Sequence, residues 1–112
     1  MRCWGFIMYA AVALPVCASA EENWTKLDAE GIQAALSGQT VDYDKAWQVF
    51  RPSGATLYNA GRDSWGKWDV RDDQYCSQWP PADGWACYDV EVDGKNVRFT
   101  GESGIPTDGM FR

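Results

Sequence analysis

Gln74 to Thr100 read QYCSQWPPADGWACYDVEVDGKNVRFT, and the fold is decided in this stretch. Two alternating runs, Gln74–Trp79 and Trp85–Val92, flank the breaker cluster Pro80-Pro81-Ala82-Asp83-Gly84. Period-two alternation bounded by proline, glycine and aspartate marks antiparallel strands joined by a turn. Pairing the two runs symmetrically about Pro81 and Ala82 sets Ser77 opposite Ala86, Cys76 opposite Cys87 and Tyr75 opposite Tyr88. Directly opposed residues have Cα atoms about 4.5–5.5 Å apart, within reach of a disulfide. Asp93-Gly94 then predicts a second tight turn with both central residues at positive φ, and Asn96–Thr100 is its returning strand.

Alternation also assigns faces. Tyr75, Tyr88, Val90 and Val92 share one side, matched by Trp68, Val70, Val97 and Phe99 on neighbouring strands, and these form the expected core. Cys76, Cys87, Trp85, Gln78 and Asp89 take the other side. Working outward, Ser64–Arg71 is a strand closed by Asp72-Asp73, and Ala46–Arg51 and Thr56–Ala60 flank the turn Pro52-Ser53-Gly54. Gly109–Arg112 adds a last short strand. Ahead of them, Asp28 is placed to cap a helix over Ala29–Ser37, with Ile32, Ala35 and Leu36 at helical spacing and Gly38 to end it. The fold class is therefore mainly β: a short N-terminal helix, then an antiparallel meander of six to eight strands with one disulfide, Cys76–Cys87. The meander forms either a curled sheet or a small barrel.

The first twenty residues have a different character. Arg2 is followed by an apolar run from Trp4 to Val16 and by Ala18-Ser19-Ala20, the three parts of a secretory signal peptide. Residues 1–20 are expected to be removed, leaving 21–112 as a single small β domain in the periplasm or secreted. A minor alternative is a lipoprotein attached through Cys17, after Leu14-Pro15-Val16. The apolar run is too short for a membrane span. Arg2 is the leader's only charge, so a net charge of −6 for the full chain becomes −7 for the mature one. An acidic surface repels phosphate backbones, which excludes nucleic acid as the expected partner. An even cysteine pair in a small exported domain favours a disulfide. With no histidine in the chain, four ligands for zinc are lacking, and no metal or cofactor is expected.

Trp65-Gly66-Lys67-Trp68 is the most distinctive local string: Gly66 permits close approach of another backbone or ring, and Trp68 fills the core. Gly66 and Trp68 follow a strand turned at Pro52-Ser53-Gly54. Asp72-Asp73, Cys76-Ser77-Gln78-Trp79, Cys87-Tyr88 and Val97-Arg98-Phe99 come after them. From Leu27 to Arg112 this order resembles small exported bacterial β-domain proteins of unknown function, of the alphaproteobacterial type. It has a weaker likeness to periplasmic β-barrel inhibitors of lysozyme or of proteases. The resemblance implies export and fold, and assigns no inhibitory residue.

Without histidine there is no Ser-His or Cys-His pair, and no phosphate-cradling glycine loop is present, so no catalytic residue is assigned. Thirteen of the sixteen aromatic residues fall after Ala20, more than a core of this size should hide. The expected function is an exported non-catalytic binding module whose ligand is a protein, as for an inhibitor of a basic enzyme, or an envelope glycan. Trp47, Trp65, Trp79 and Trp85 are its expected contact residues. The alternatives are a small glycan hydrolase using the carboxylates Asp69 and Asp89, or a structural envelope protein.

Overall fold

The computed structural model describes residues 23–112; the expected signal peptide and Cys17 lie outside them. After β1 (Thr25–Lys26) and α1 (Ala29–Leu36) come eight strands. These are β2 (Thr40–Asp42), β3 (Trp47–Phe50), β4 (Ala55–Asn59), β5 (Asp63–Arg71), β6 (Gln74–Gln78), β7 (Trp85–Asp93), β8 (Asn96–Thr100) and β9 (Pro106–Phe111). Each of the eight pairs antiparallel with the next, and β9 returns to β2 through Val41↔Phe111 and Asp42↔Met110. The sheet thus closes into an eight-stranded barrel, and β1 adds outside it along β7 at Glu91 and Val92. Closure leaves the meander no free edge among these eight strands.

The β6–β7 register is the expected one, with Tyr75↔Tyr88, Cys76↔Cys87 and Ser77↔Ala86. Cys76 and Cys87 form the disulfide, their Cα atoms 4.0 Å apart, on the outer face of the wall. One turn differs from expectation. Asp93 pairs with Asn96, so the central residues of the β7–β8 turn are Gly94 and Lys95, and of the two only Gly94 (φ 61°) has positive φ. The doubly left-handed turn is instead Asp72-Asp73, between Arg71 and Gln74, with φ of 50° and 60°. Aspartate tolerates that region better than most residues, and such a turn matches the twist of the flanking strands.

Asp73 also connects two elements. Its Oδ1 accepts the Ala29 N–H at 2.8 Å, satisfying a backbone donor at the start of α1 that no helical carbonyl can reach. Asp28 caps the same end, its side chain accepting from the Gly31 N–H at 2.9 Å. Held there against β5 and β6, α1 places Ile32 and Leu36, both fully buried, into the core at one end of the barrel. The helix acts as a plug. Above it lie Phe50, Trp68, Tyr75, Val90, Val97 and Phe99, all at most 5% exposed. Five of these six carry the expected core face, and Val70, Tyr88 and Val92 pack against it half-buried. Phe50 is central to the aromatic part, with its ring edge-on to Trp68 (5.6 Å) and Tyr75 (5.5 Å) and stacked on Phe99 (6.4 Å).

Candidate functional site

At the end opposite α1 the barrel interior is not filled. A cavity of about 450 Å³ opens there, within the range typical of small-ligand sites. Eight-stranded barrels are just wide enough either to pack their interior or to hold one small ligand. In this protein the plug end is packed and the mouth is left open.

Strand alternation supplies the lining. β3 points Gln48 inward beside Phe50, β4 points Tyr58, and β5 points Ser64 and then Gly66. Tyr43, just past β2, and Trp79, just past β6, close over the rim. Tyr75, Ser77, Tyr88 and Phe99 complete the lower wall. Their rings form a collar: Trp79 meets Tyr58 edge-on at 6.2 Å, Tyr58 meets Tyr43 at 6.2 Å, and Tyr43 meets Phe99 at 6.3 Å. Phe99 meets Tyr75 at 5.3 Å, and Tyr75 stacks on Tyr88 at 5.8 Å. These separations are in the favourable range for aromatic pairs. Gly66 makes the collar possible. A β-carbon there would stand 2.5 Å from the Trp79 ring and 2.8 Å from the Gln78 carbonyl oxygen, so the absent side chain is the space the indole occupies. The close approach expected at Gly66 is thus made by Trp79.

The polar groups in the cavity are hydroxyls and one carboxamide. Tyr43 donates to Gln48 Oε1 at 2.8 Å, Gln48 Nε2 donates to Thr56 Oγ1 at 2.9 Å and to Tyr75 Oη at 3.1 Å, and Thr56 donates to the Val49 carbonyl at 2.8 Å. Trp79 Nε1 donates to Ser77 Oγ at 3.1 Å. None of the lining side chains is a carboxylate, an ammonium or a guanidinium. The site is therefore electrically neutral, and its phenols stay so. Burial pushes the Tyr43 phenol far above its ordinary value, with the neighbouring Tyr75, Tyr58 and Tyr88 adding to the effect. Burial likewise raises Tyr75, against opposing hydrogen bonds from Ser77 and Gln48.

A pH dependence follows. A phenol whose folded pKa lies above its unfolded value of about 10 contributes stability that is complete below that pH and is lost as pH rises beyond it. On alkaline titration, Tyr43 and Tyr75 are expected to ionise only as the barrel unfolds, phenolate absorbance and near-ultraviolet circular dichroism changing in one cooperative step. Smooth ionisation of the tyrosines, Tyr43 and Tyr75 included, with the dichroism intact would contradict this burial.

The four tryptophans singled out in the sequence are divided by the structure. Trp79 lines the cavity. Trp47, Trp65 and Trp85 stand on the outer wall, each with a guanidinium over its ring: Arg112 at 5.8 Å, Arg51 at 5.0 Å and Arg71 at 4.0 Å. Trp24 is covered in the same way by Arg98 at 4.2 Å. Trp65 remains 49% exposed, but its stacking position is shared with Arg51. Asp69 and Asp89 are also on the outer wall, paired with Arg71 (3.1 Å) and Lys26 (3.6 Å), and neither faces the cavity. Arg98–Asp108 and Arg112–Asp42 complete the exterior ion pairs, and the hydrogen bond from each arginine holds its aspartate below the usual carboxylate range. Charges thus stand along β5, β7, β8 and β9, where a lipid-spanning barrel would present an apolar band. Among the described residues no helix is long and apolar enough to cross a membrane, and no grouping of three or more metal-ligating side chains occurs.

The tyrosine collar is the feature that sequence reasoning missed. Tyr75 and Tyr88 are expected as core, and of the four expected contact residues only Trp79 belongs to the collar. The available signal was polarity on the inward register: Gln48, Tyr58, Ser64 and Ser77 all fall on the side of the sheet that should be oily.

No protein-family model, curated protein or solved structure matches this chain.

Proposed function

We propose that this chain is an exported, non-catalytic binding protein that takes one small, uncharged, ring-shaped ligand into the mouth of its barrel. The observation that carries this reading is the open aromatic cavity above a helix-plugged floor. Polar groups that spend rather than save burial energy line it, though the same strand positions could have held aliphatic side chains. A ligand bearing a full charge would find no counter-ion in the site and would lose its hydration on entry. An aromatic or sugar-sized ring would exchange water for the faces and edges of the collar. The disulfide supports an oxidising compartment, in line with the expected export.

Native mass spectrometry of the oxidised protein, equilibrated with a panel of neutral bicyclic aromatics and neutral monosaccharides, tests this. One-to-one adducts are expected for members of the panel. Ser64→Phe, which narrows the mouth from β5, should abolish them, whereas Trp65→Ser on the outer wall should leave them unchanged. Adducts indifferent to the Ser64 change but lost with Trp65 would move the site to the exterior and sink the cavity reading.

A further inference from the structure

The hydrogen-bond network beneath the cavity has a fixed direction, and that direction specifies what a ligand must offer. It starts at the Val49 carbonyl, which can only accept. Thr56 Oγ1, 2.8 Å away, must therefore donate its one proton there, and it is left as an acceptor toward Gln48. The Gln48 group facing Thr56 is then the NH₂ and not the oxygen, because the reverse would oppose two acceptors in a fully buried place. With the amide so oriented, Gln48 Oε1 faces Tyr43, whose proton is committed to it. The second Gln48 N–H is committed to the Tyr75 oxygen. Every side-chain hydrogen-bonding atom buried among the described residues has a partner in this arrangement.

Counting protons around the floor leaves two surpluses. Tyr43 has given its proton away and keeps oxygen lone pairs, so toward the cavity it can only accept. The Tyr75 oxygen receives the Gln48 N–H and the Ser77 oxygen receives the Trp79 N–H, so both hydroxyls act as acceptors there. Each hydroxyl keeps its own proton, and neither of these hydrogen bonds uses it. These protons face a guest, since Tyr75 and Ser77 both line the cavity.

We infer that the cavity selects a flat, uncharged ring compound whose edge carries both a hydrogen-bond acceptor, for a hydroxyl proton of Tyr75 or Ser77, and an N–H or O–H donor, for the Tyr43 oxygen. Cyclic amides and hydroxylated or amino-substituted ring carbonyls belong to this class. Plain hydrocarbons do not: on entry they would strip water from both surplus groups and replace nothing, and sites built on hydrogen bonds discriminate strongly against analogues that lack them. This assignment rests on the mouth being the binding site, and its test keeps the two apart.

Three neutral probes of similar shape suffice: quinolin-2-one, with acceptor and donor; N-methylquinolin-2-one, with the donor blocked; and naphthalene, with neither. Affinities are measured by titration against the wild type, Ser64→Phe and Tyr43→Phe. For the wild type, quinolin-2-one is expected to bind tightest. Loss of one neutral hydrogen bond corresponds to roughly a five- to tenfold weakening, expected first for the N-methyl compound and again for naphthalene. Tyr43→Phe keeps the ring that covers Gln48 but removes the accepting oxygen. It should bring quinolin-2-one and its N-methyl derivative to equal affinity while leaving naphthalene unaffected. If the three probes bind equally and Tyr43→Phe changes none of them, the ligand-class assignment is overturned while the cavity stands as the site. If no probe binds, or Ser64→Phe fails to block binding, the cavity reading itself falls and this assignment falls with it.

Discussion

Phe50→Ala is expected to destabilise the barrel by about 3–5 kcal/mol, the usual cost of deleting a fully buried aromatic ring. The ring is 0% exposed and meets Trp68, Tyr75 and Phe99, so no solvent can fill the gap and three neighbours lose a partner at once. Relaxation is limited on the other sides. Trp68 is tied to the Arg51 carbonyl through its indole N–H at 2.8 Å, and Tyr75 is held by Gln48. The backbone of Phe50 is also fixed, its N–H donating to Gln39 and its carbonyl accepting from Gly38 just after the helix. A domain of this size has on the order of 5–15 kcal/mol of stability in total, so the variant should sit near its unfolding threshold. Urea unfolding of the oxidised protein measures the difference directly. A loss below about 1 kcal/mol would mean that the layer between plug and mouth is not packed as described.

The same layer explains why the molecule can leave a cavity open. Ile32 and Leu36 seal one end and the Phe50–Trp68–Tyr75–Phe99 rings make a floor, so apolar burial is concentrated in the lower half of the barrel. The upper half then needs no aliphatic filling to hold its shape. There the strands are fixed by the sheet hydrogen bonds, the ring collar and the Gln48 network, each of which tolerates water or a ligand alongside. The division between a packed half and an open half follows from where the plug sits.

Much of this was legible in short-range pattern. The Cys76↔Cys87 register followed from the symmetry of residues 74–92 about Pro81 and Ala82, and the Asp28 cap from one side chain placed before an apolar spacing. Closure was not legible, because it depends on Val41 and Asp42 meeting Phe111 and Met110, almost the whole domain apart in sequence and with no strong strand pattern at either end. After Asp93-Gly94 the returning strand begins at Asn96 as expected, but the turn centres on Gly94 and Lys95 because Asp93 still pairs, opposite Asn96. What covers the exterior tryptophans was likewise not legible. Exposed aromatic residues suggest a ligand face only when nothing else uses them, and the arginines that cover Trp65 and Trp85 each come from 14 positions earlier in the chain, Arg51 and Arg71. The collar was hidden because a tyrosine on an inward position reads as core whether or not its hydroxyl end reaches an open space.

Removing the disulfide, by reduction or by Cys76→Ser with Cys87→Ser, is expected to cost about 2.5–3 kcal/mol, the chain entropy released when a loop of this length is no longer closed in the unfolded state. The loop it closes spans the β6–β7 connection, and this locates the effect. Trp79 lies at the start of that connection and Trp85 at its end. The indole of Trp79 holds its place in the mouth through Ser77, beside Cys76 on β6, and through contact with Gly66 on β5, and neither contact involves the cross-link itself. Reduction should therefore lower the urea midpoint substantially while leaving the near-ultraviolet dichroism of the folded protein, dominated by the packed rings, close to that of the oxidised form. Binding in the mouth should persist under conditions where the reduced protein remains folded. If reduction instead abolished binding with the fold intact, the β6–β7 connection would be shaping the cavity rim directly, and Trp79 would owe its position to the cross-link rather than to the space left by Gly66.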